Sequence, residues 1–144
     1  MVRLTHAIKL FQPWSTEIVE GNLNFLIRSF NTYKRERIGI YNTRKIDENW
    51  YKNANNNMIK KLWKKQGIIG SVEIKDCISL EKKKIKDTLV ELANKEYYDY
   101  YPKHLIPDNN LLHIWVFDEA KKWKNPLKIK KLGMCWIKID IDDE

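Results

Sequence analysis

Arg28 is the residue whose placement most clearly asks for chemistry. It lies within Phe25–Phe30, an otherwise apolar run, and a buried cation needs a partner. That partner is either a carboxylate of the protein itself or a phosphate or base edge of a ligand. Just beyond, Tyr33, Lys34, Arg35 and Arg37 crowd a turn ahead of Ile38–Tyr41. The planar forks of Arg35 and Arg37 suit phosphate oxygens. Gln12 can hydrogen-bond a base edge, and Trp14 and Phe30 offer rings for stacking, although Trp14 serves equally well as core. The candidate nucleic-acid-binding set is therefore Gln12, Trp14, Arg28, Ser29, Lys34, Arg35, Arg37 and Tyr41. The plainer alternative is a solvated basic loop, with Arg28 satisfied internally. Cations interleaved with aromatics fit RNA or single-stranded DNA better than duplex readout, and no major-groove helix motif is present.

Other chemistries find little support. His6, His104 and His113 are isolated, and His6 and His113 sit in apolar runs where a satisfied structural histidine is expected. Cys77 and Cys135 form no CxxC or Cys/His cluster, so no metal site and no cofactor is predicted. No P-loop, dinucleotide fingerprint, GxSxG or HExxH occurs.

The elements that would position the candidate set follow from the local pattern. Ala7–Phe11 has the length of a strand. Pro13 suits a first helical turn, where no backbone donor is needed. Trp14, Ile18 and Val19 recur at helical spacing over Trp14–Glu20, and Gly21 is a left-handed stop. Phe25–Phe30 and Ile38–Tyr41 read as strands. Asp47 can cap a helix carrying Trp50 and Tyr51. Asn53–Asn57 reads as a loop, and Met58, Ile59, Leu62 and Trp63 predict an amphipathic helix with a lysine face. Ile68–Leu80 alternates as a strand, with Gly70 marking a bulge or a close backbone approach. Ser79 is the expected cap of a helix over Glu81–Lys95, whose first turn is cationic, against the helix dipole. Tyr97, Tyr98, Tyr100 and Tyr101 form an aromatic loop suited either to base stacking or to packing on the core. Leu111–Phe117 and Gly133–Ile141 are further strands, with Leu127–Lys131 alternating between apolar and basic residues. Asp140–Glu144 is an acidic tail.

Length and composition bound the reading. The chain has 144 residues, 43% of them hydrophobic and 32% charged, which predicts a single folded domain spanning 1–144. The net charge of +8 favours polyanions, although heavy Lys, Asn and Ile usage is also a compositional habit of some proteomes. No leader-like segment and no membrane-length apolar run is seen. With two cysteines for which a disulfide is possible but not predicted, this predicts a cytoplasmic protein without a membrane partner. A protein partner and the oligomeric state stay open.

Several of these segments resemble one family. Gln12-Pro13-Trp14, a short helix ending at Gly21, Arg28-Ser29-Phe30 and Arg35 are similar, in order and spacing, to the opening of an ASCH domain of the activating-signal-cointegrator type. Ile68–Leu80, with Asp76-Cys77, resembles that family's central strand. His113–Asp140, with Pro126 and Trp136, resembles its closing hairpin. The resemblance covers nearly the whole chain. It implies a PUA-like barrel, related to pseudouridine-synthase, EVE and YTH-type domains, that binds RNA or modified bases in a basic cleft between barrel and first helix.

Some ASCH proteins are enzymes acting on 4-acetylcytidine or RNA, with the pattern Gly-x-Lys-Thr-x-Glu-x-Arg after the first helix. Here Gly21 and Arg28 match, but the Lys, Thr and Glu positions are Leu23, Asn24 and Leu26. Leucine transfers no proton, and Asn is no such nucleophile. A nuclease or nucleoside amidohydrolase would need a rewired site, with Glu17, Glu20 or Glu73 as its carboxylate. No catalytic residue is assigned, and the chain reads as a binding domain rather than an enzyme. Strands outnumbering helices, without a βαβ rhythm, independently predict an α+β fold: a small mixed β-barrel with two or three helices packed outside.

Overall fold

A computed structural model describes residues 2–53, 55, 57, 66–92, 101–129 and 136–143. The expected helix over Met58–Lys65, Tyr97–Tyr100 of the aromatic loop, and Cys135 lie outside the described residues. The strands are β1 (Arg3–Gln12), β2 (Phe25–Arg28), β3 (Arg37–Ile46), β4 (Gly67–Glu81), β5 (Leu111–Leu127) and β6 (Trp136–Asp142). The helices are α1 (Trp14–Val19), α2 (Glu48–Asn53) and α3 (Ile85–Leu92), the last preceded by a 3-10 turn over Lys82–Lys84. The strands form one mixed sheet in the order β2-β5-β4-β3-β1-β6. β1 runs parallel to β3 and antiparallel to β6; β2 with β5 and β3 with β4 are antiparallel. The fold is α+β, as expected.

By compactness the chain divides into two units. The first holds Met1–Leu23, Glu36–Glu73 and Asp118–Glu144; the second holds Asn24–Arg35 and Ile74–Phe117. In the first unit, Leu4, Ala7, Tyr41, Ile68, Trp123 and Ile137 form a buried cluster flanked by Ile129, Ile139 and Ile141. α1 has no side-chain cap. It starts directly at the Gln12-Pro13 peptide, which is cis, and Gly21 follows at φ +80, the left-handed conformation its lack of a side chain allows. Gly70 is a close approach: a Cβ there would collide with the Lys121 carbonyl and lie 2.9 Å from Val19 Cβ of α1. α1 therefore packs on a strand position only glycine can fill.

The second unit is built on β2 and the adjoining parts of β4 and β5. Phe25, Ile27, Leu112 and Ile114 are buried from the strands, and Ile85 and Leu89 from α3. Tyr101 belongs to this core. Its ring stacks on Phe25 at 5.1 Å, and its hydroxyl accepts a hydrogen bond from Ile27 N at 3.1 Å. For this tyrosine the expectation of core packing holds over that of base stacking.

Two sequence expectations need correction. Ser79 caps no helix, because β4 runs through it to Glu81; the alternation of Ile78 and Leu80 continues the strand, with Ser79 on its other face. The strand expected over Leu111–Phe117 runs on to Leu127, passing through Glu119, whose φ of 49 twists the strand without ending it.

Burial pushes the Tyr101 hydroxyl up from 10.0 to about 12, against the opposing pull of the Ile27 N–H and the Arg28 charge. The folded state thus favours the neutral phenol. Its contribution is complete below the unfolded value near 10 and is lost as pH rises toward about 12, on the order of 2 kcal/mol in all. Tyr101→Phe leaves the Ile27 amide unpaired, so it should lower stability near neutral pH by about 1–3 kcal/mol. Denaturant unfolding at about pH 8 and about pH 11 should show a steeper loss for the native protein than for the variant.

Candidate functional site

The candidate residues fall into both units, and each group has its own surroundings. In the first unit, Gln12 is 1% exposed. Its Oε1 accepts from Thr16 Oγ1 at 2.7 Å, while its Nε2 is buried without a hydrogen-bond partner among the described residues. Trp14 is buried, with Nε1 donating to Asp47 Oδ2 at 2.7 Å. Asp47 in turn accepts from the Asn49 and Trp50 amides through Oδ1, capping α2 as expected, and its own amide donates to the Gln12 carbonyl. Ser15 Oγ donates to Asn42 Oδ1 at 2.6 Å. Gln12-Pro13-Trp14 is therefore a polar lock inside this unit, and the side of α1 facing β1 and β3 is filled. Tyr41 is equally buried. These residues line no open surface, because each is claimed by packing.

Arg37 is enclosed too. Its side chain is 12% exposed, with Nη1 donating to Ser71 Oγ at 2.8 Å and Nη2 to the Glu119 carbonyl at 2.7 Å. Carboxylates of Glu119, Asp143 and Glu73 stand at 3.5, 3.7 and 3.8 Å. Asp143, its side chain 5% exposed, also accepts from Ser71 Oγ at 2.8 Å and from Trp123 Nε1 at 2.9 Å, with Lys121 Nζ at 3.9 Å. A guanidinium facing this many carboxylates is a fastening of the fold. This corrects the expectation that Arg37 offers its fork to phosphate.

The second unit holds Arg28, Ser29, Lys34 and Arg35. Arg28 is half-buried, its guanidinium 4.9 Å from the Phe30 ring centre and 5.5 Å from that of Trp115. This is a cation–π seat. Trp115 donates its Nε1 proton to the Phe30 carbonyl at 3.1 Å, which fixes the end of β2. From Ser29 the chain runs as an irregular loop to Glu36. Arg35 braces it, donating from Nη1 to the carbonyls of Thr32 (3.1 Å) and Lys34 (3.0 Å), with Nη2 at 3.6 Å from Asp76. Cys77 Sγ lies 3.1 Å from Asn31 Oδ1. Asp76-Cys77, singled out in the sequence within the central strand, thus anchors the basic loop. Ser29 is exposed, and Lys34 is half-buried. Tyr33, beside them, is 90% exposed. The sequence put Tyr33 in the turn without assigning it a role; its neighbours Lys34 and Arg35 were the available signal.

The positions of the enzymatic pattern carry no reactive group here. Leu23 and Leu26 are core, and Asn24 accepts the Phe117 amide through its carbonyl. Glu20 pairs with Lys122 at 2.8 Å. Among the described residues no three His, Cys, Asp or Glu side chains gather as a metal site, and no helix is long and apolar enough to cross a membrane.

No protein-family model and no curated protein matches the chain. Solved structures do. Two mutant forms of the ASCH protein of Zymomonas mobilis superpose with TM-scores of 0.63 and 0.62 at 11% and 12% identity, over 93% of this chain and 88% and 87% of theirs. A further structure of that ASCH protein gives 0.54 at 14% identity, over 81% and 68%. The fold is ASCH-like. At such low identity the ASCH likeness speaks for the fold alone, and site residues must be argued from this chain.

Removing one partner from the enclosed charge cluster should be costly. Asp143→Ala leaves Ser71 and Trp123 without their shared acceptor, takes one of three nearby carboxylates from Arg37, and should destabilise the protein by about 3–5 kcal/mol. Denaturant unfolding followed by tryptophan emission measures this directly.

Proposed function

We propose that the protein binds nucleic acid, as single-stranded RNA or DNA, through the Ser29–Arg35 loop of its second unit. The observation that supports this reading is Tyr33, a ring 90% exposed beside two cationic residues on a braced loop. A large exposed aromatic has no folding rationale, whereas a base stacked on it gains about 1–3 kcal/mol. Arg35 keeps its side chain 41% exposed while its Nη1 holds the loop, so it is positioned before a phosphate arrives. Arg28, seated over Phe30 and Trp115, adds positive charge, and Ser29 adds an exposed hydroxyl. The net charge of +8 would draw a strand in at long range. Gln12, Trp14, Arg37 and Tyr41 act in this reading only as frame.

The test is binding of a fluorescein-labelled single-stranded RNA by anisotropy. Tyr33→Ala should weaken binding by about tenfold, as expected for one lost stacking contact. Tyr33→Trp should restore it. Unchanged affinity in Tyr33→Ala and in Arg35→Ala would remove the loop from the interface.

A further inference from the structure

The second unit carries another constellation, on β4 and β5. Ser79 Oγ and His113 Nδ1 are 2.7 Å apart. Three positions from each, the Lys82 amide donates to the Asn110 carbonyl at 2.8 Å, which sets Ser79 opposite His113 and Glu81 opposite Leu111 in an antiparallel ladder. Strand side chains alternate between faces, so Ser79, Glu81, Leu111 and His113 share one face. A groove of about 650 Å³ opens at the Glu81–Leu111 step, lined also by Lys82, Lys83 and Asn110. That size lies within the range of small-molecule sites, about 300–1,000 Å³.

Folding does not account for what lines this groove. Leu111 is 54% exposed. Lys82 and Lys83 immediately precede α3 and place positive charge at the positive end of its dipole. Their partners hold them loosely: Lys82 pairs with the fully exposed Asp108 at 3.0 Å, and Lys83 with Glu81 at 3.2 Å. Such surface pairs contribute little and exchange readily with a ligand. An anion in the groove would satisfy both lysines and the helix end. Ser79, held by the buried His113, stands one step along the same face beside the groove, and Leu111 in the lining supplies an apolar contact.

We propose that this groove binds a phosphate monoester carried on a nucleoside. The phosphate sits between Lys82, Lys83 and Ser79, and the apolar part lies against Leu111. His113 orients the Ser79 hydroxyl. The ligand is either a free nucleoside monophosphate or the phosphorylated end of a strand. The inference stands apart from the loop reading, since neither Tyr33 nor Arg35 takes part.

The test is titration calorimetry of the full chain with adenosine 5′-monophosphate, with adenosine as control. The monophosphate should bind, adenosine should bind at least about tenfold more weakly, and Ser79→Ala and Lys82→Ala should each cost about tenfold. Both positions are exposed, so unchanged thermal unfolding should accompany the loss. Tyr33→Ala should leave this binding intact, which separates its failure from that of the loop. Single strands with and without a 5′-phosphate identify the source. If the phosphate strengthens strand binding and Ser79→Ala abolishes the gain, the groove takes strand ends. If only the free monophosphate responds to Ser79→Ala, it takes nucleotides. Equal binding of adenosine and its monophosphate, or Ser79→Ala and Lys82→Ala without effect on either ligand, overturns the proposal.

Discussion

The cost of enclosing Arg37 organises much of the first unit. A guanidinium taken out of water must be paired on nearly every edge, or it destabilises the fold by several kcal/mol. Here Ser71 of β4, the Glu119 carbonyl of β5 and Asp143 near the chain's end answer that demand. Asp143 in turn collects the Ser71 hydroxyl and the Trp123 indole. One charge cluster thus ties β3, β4, β5 and the C-terminal segment together. Arg3, bonded to Asp140 and Asp142 at the surface, fastens β1 to the same C-terminal strand and holds Asp140 well below the usual carboxylate range.

This division of labour bears on function. The basic turn looks continuous in the sequence, but Arg37 faces inward while Tyr33 and Arg35 remain at the surface. Charge that the fold consumes cannot also meet a ligand. Among the outward features of the second unit are a braced loop with a ring and a fork, and a lysine-bearing groove near α3. In the proposed readings both take phosphate-containing ligands, and both depend on the strands of the second unit.

Much of the fold was legible because it rests on local rules. Trp14, Ile18 and Val19 marked α1; Gly21 ended it; Asp47 capped α2; and Gly70 announced a bulge or a close approach. The site was less legible because it rests on distant pairings. Nothing near Arg37 in sequence indicates that Asp143, in what reads as an acidic tail, will bury with it. Gln12 read as a contact residue and Trp14 as either contact or core, and Thr16 and Asp47 hold the Gln12 Oε1 and the Trp14 indole N–H inside. Ser79 looked like a helix cap because Ser before a charged run often is one, whereas its partner, His113, comes from another strand. Arg28 was recognised as needing a partner, but the rings of Phe30 and Trp115 as its seat required the strand register.

In the proposed reading the second unit presents its cations to a polyanion. The direct measurement is equilibrium binding of a labelled single-stranded RNA to the native protein between about 50 and about 200 mM salt. The account predicts affinity that falls steeply and linearly on logarithmic axes, by about 0.7 in slope for each phosphate contact. Absence of binding at the lower salt, or an affinity that salt leaves unchanged, would contradict it and make the charge of this chain a matter of composition.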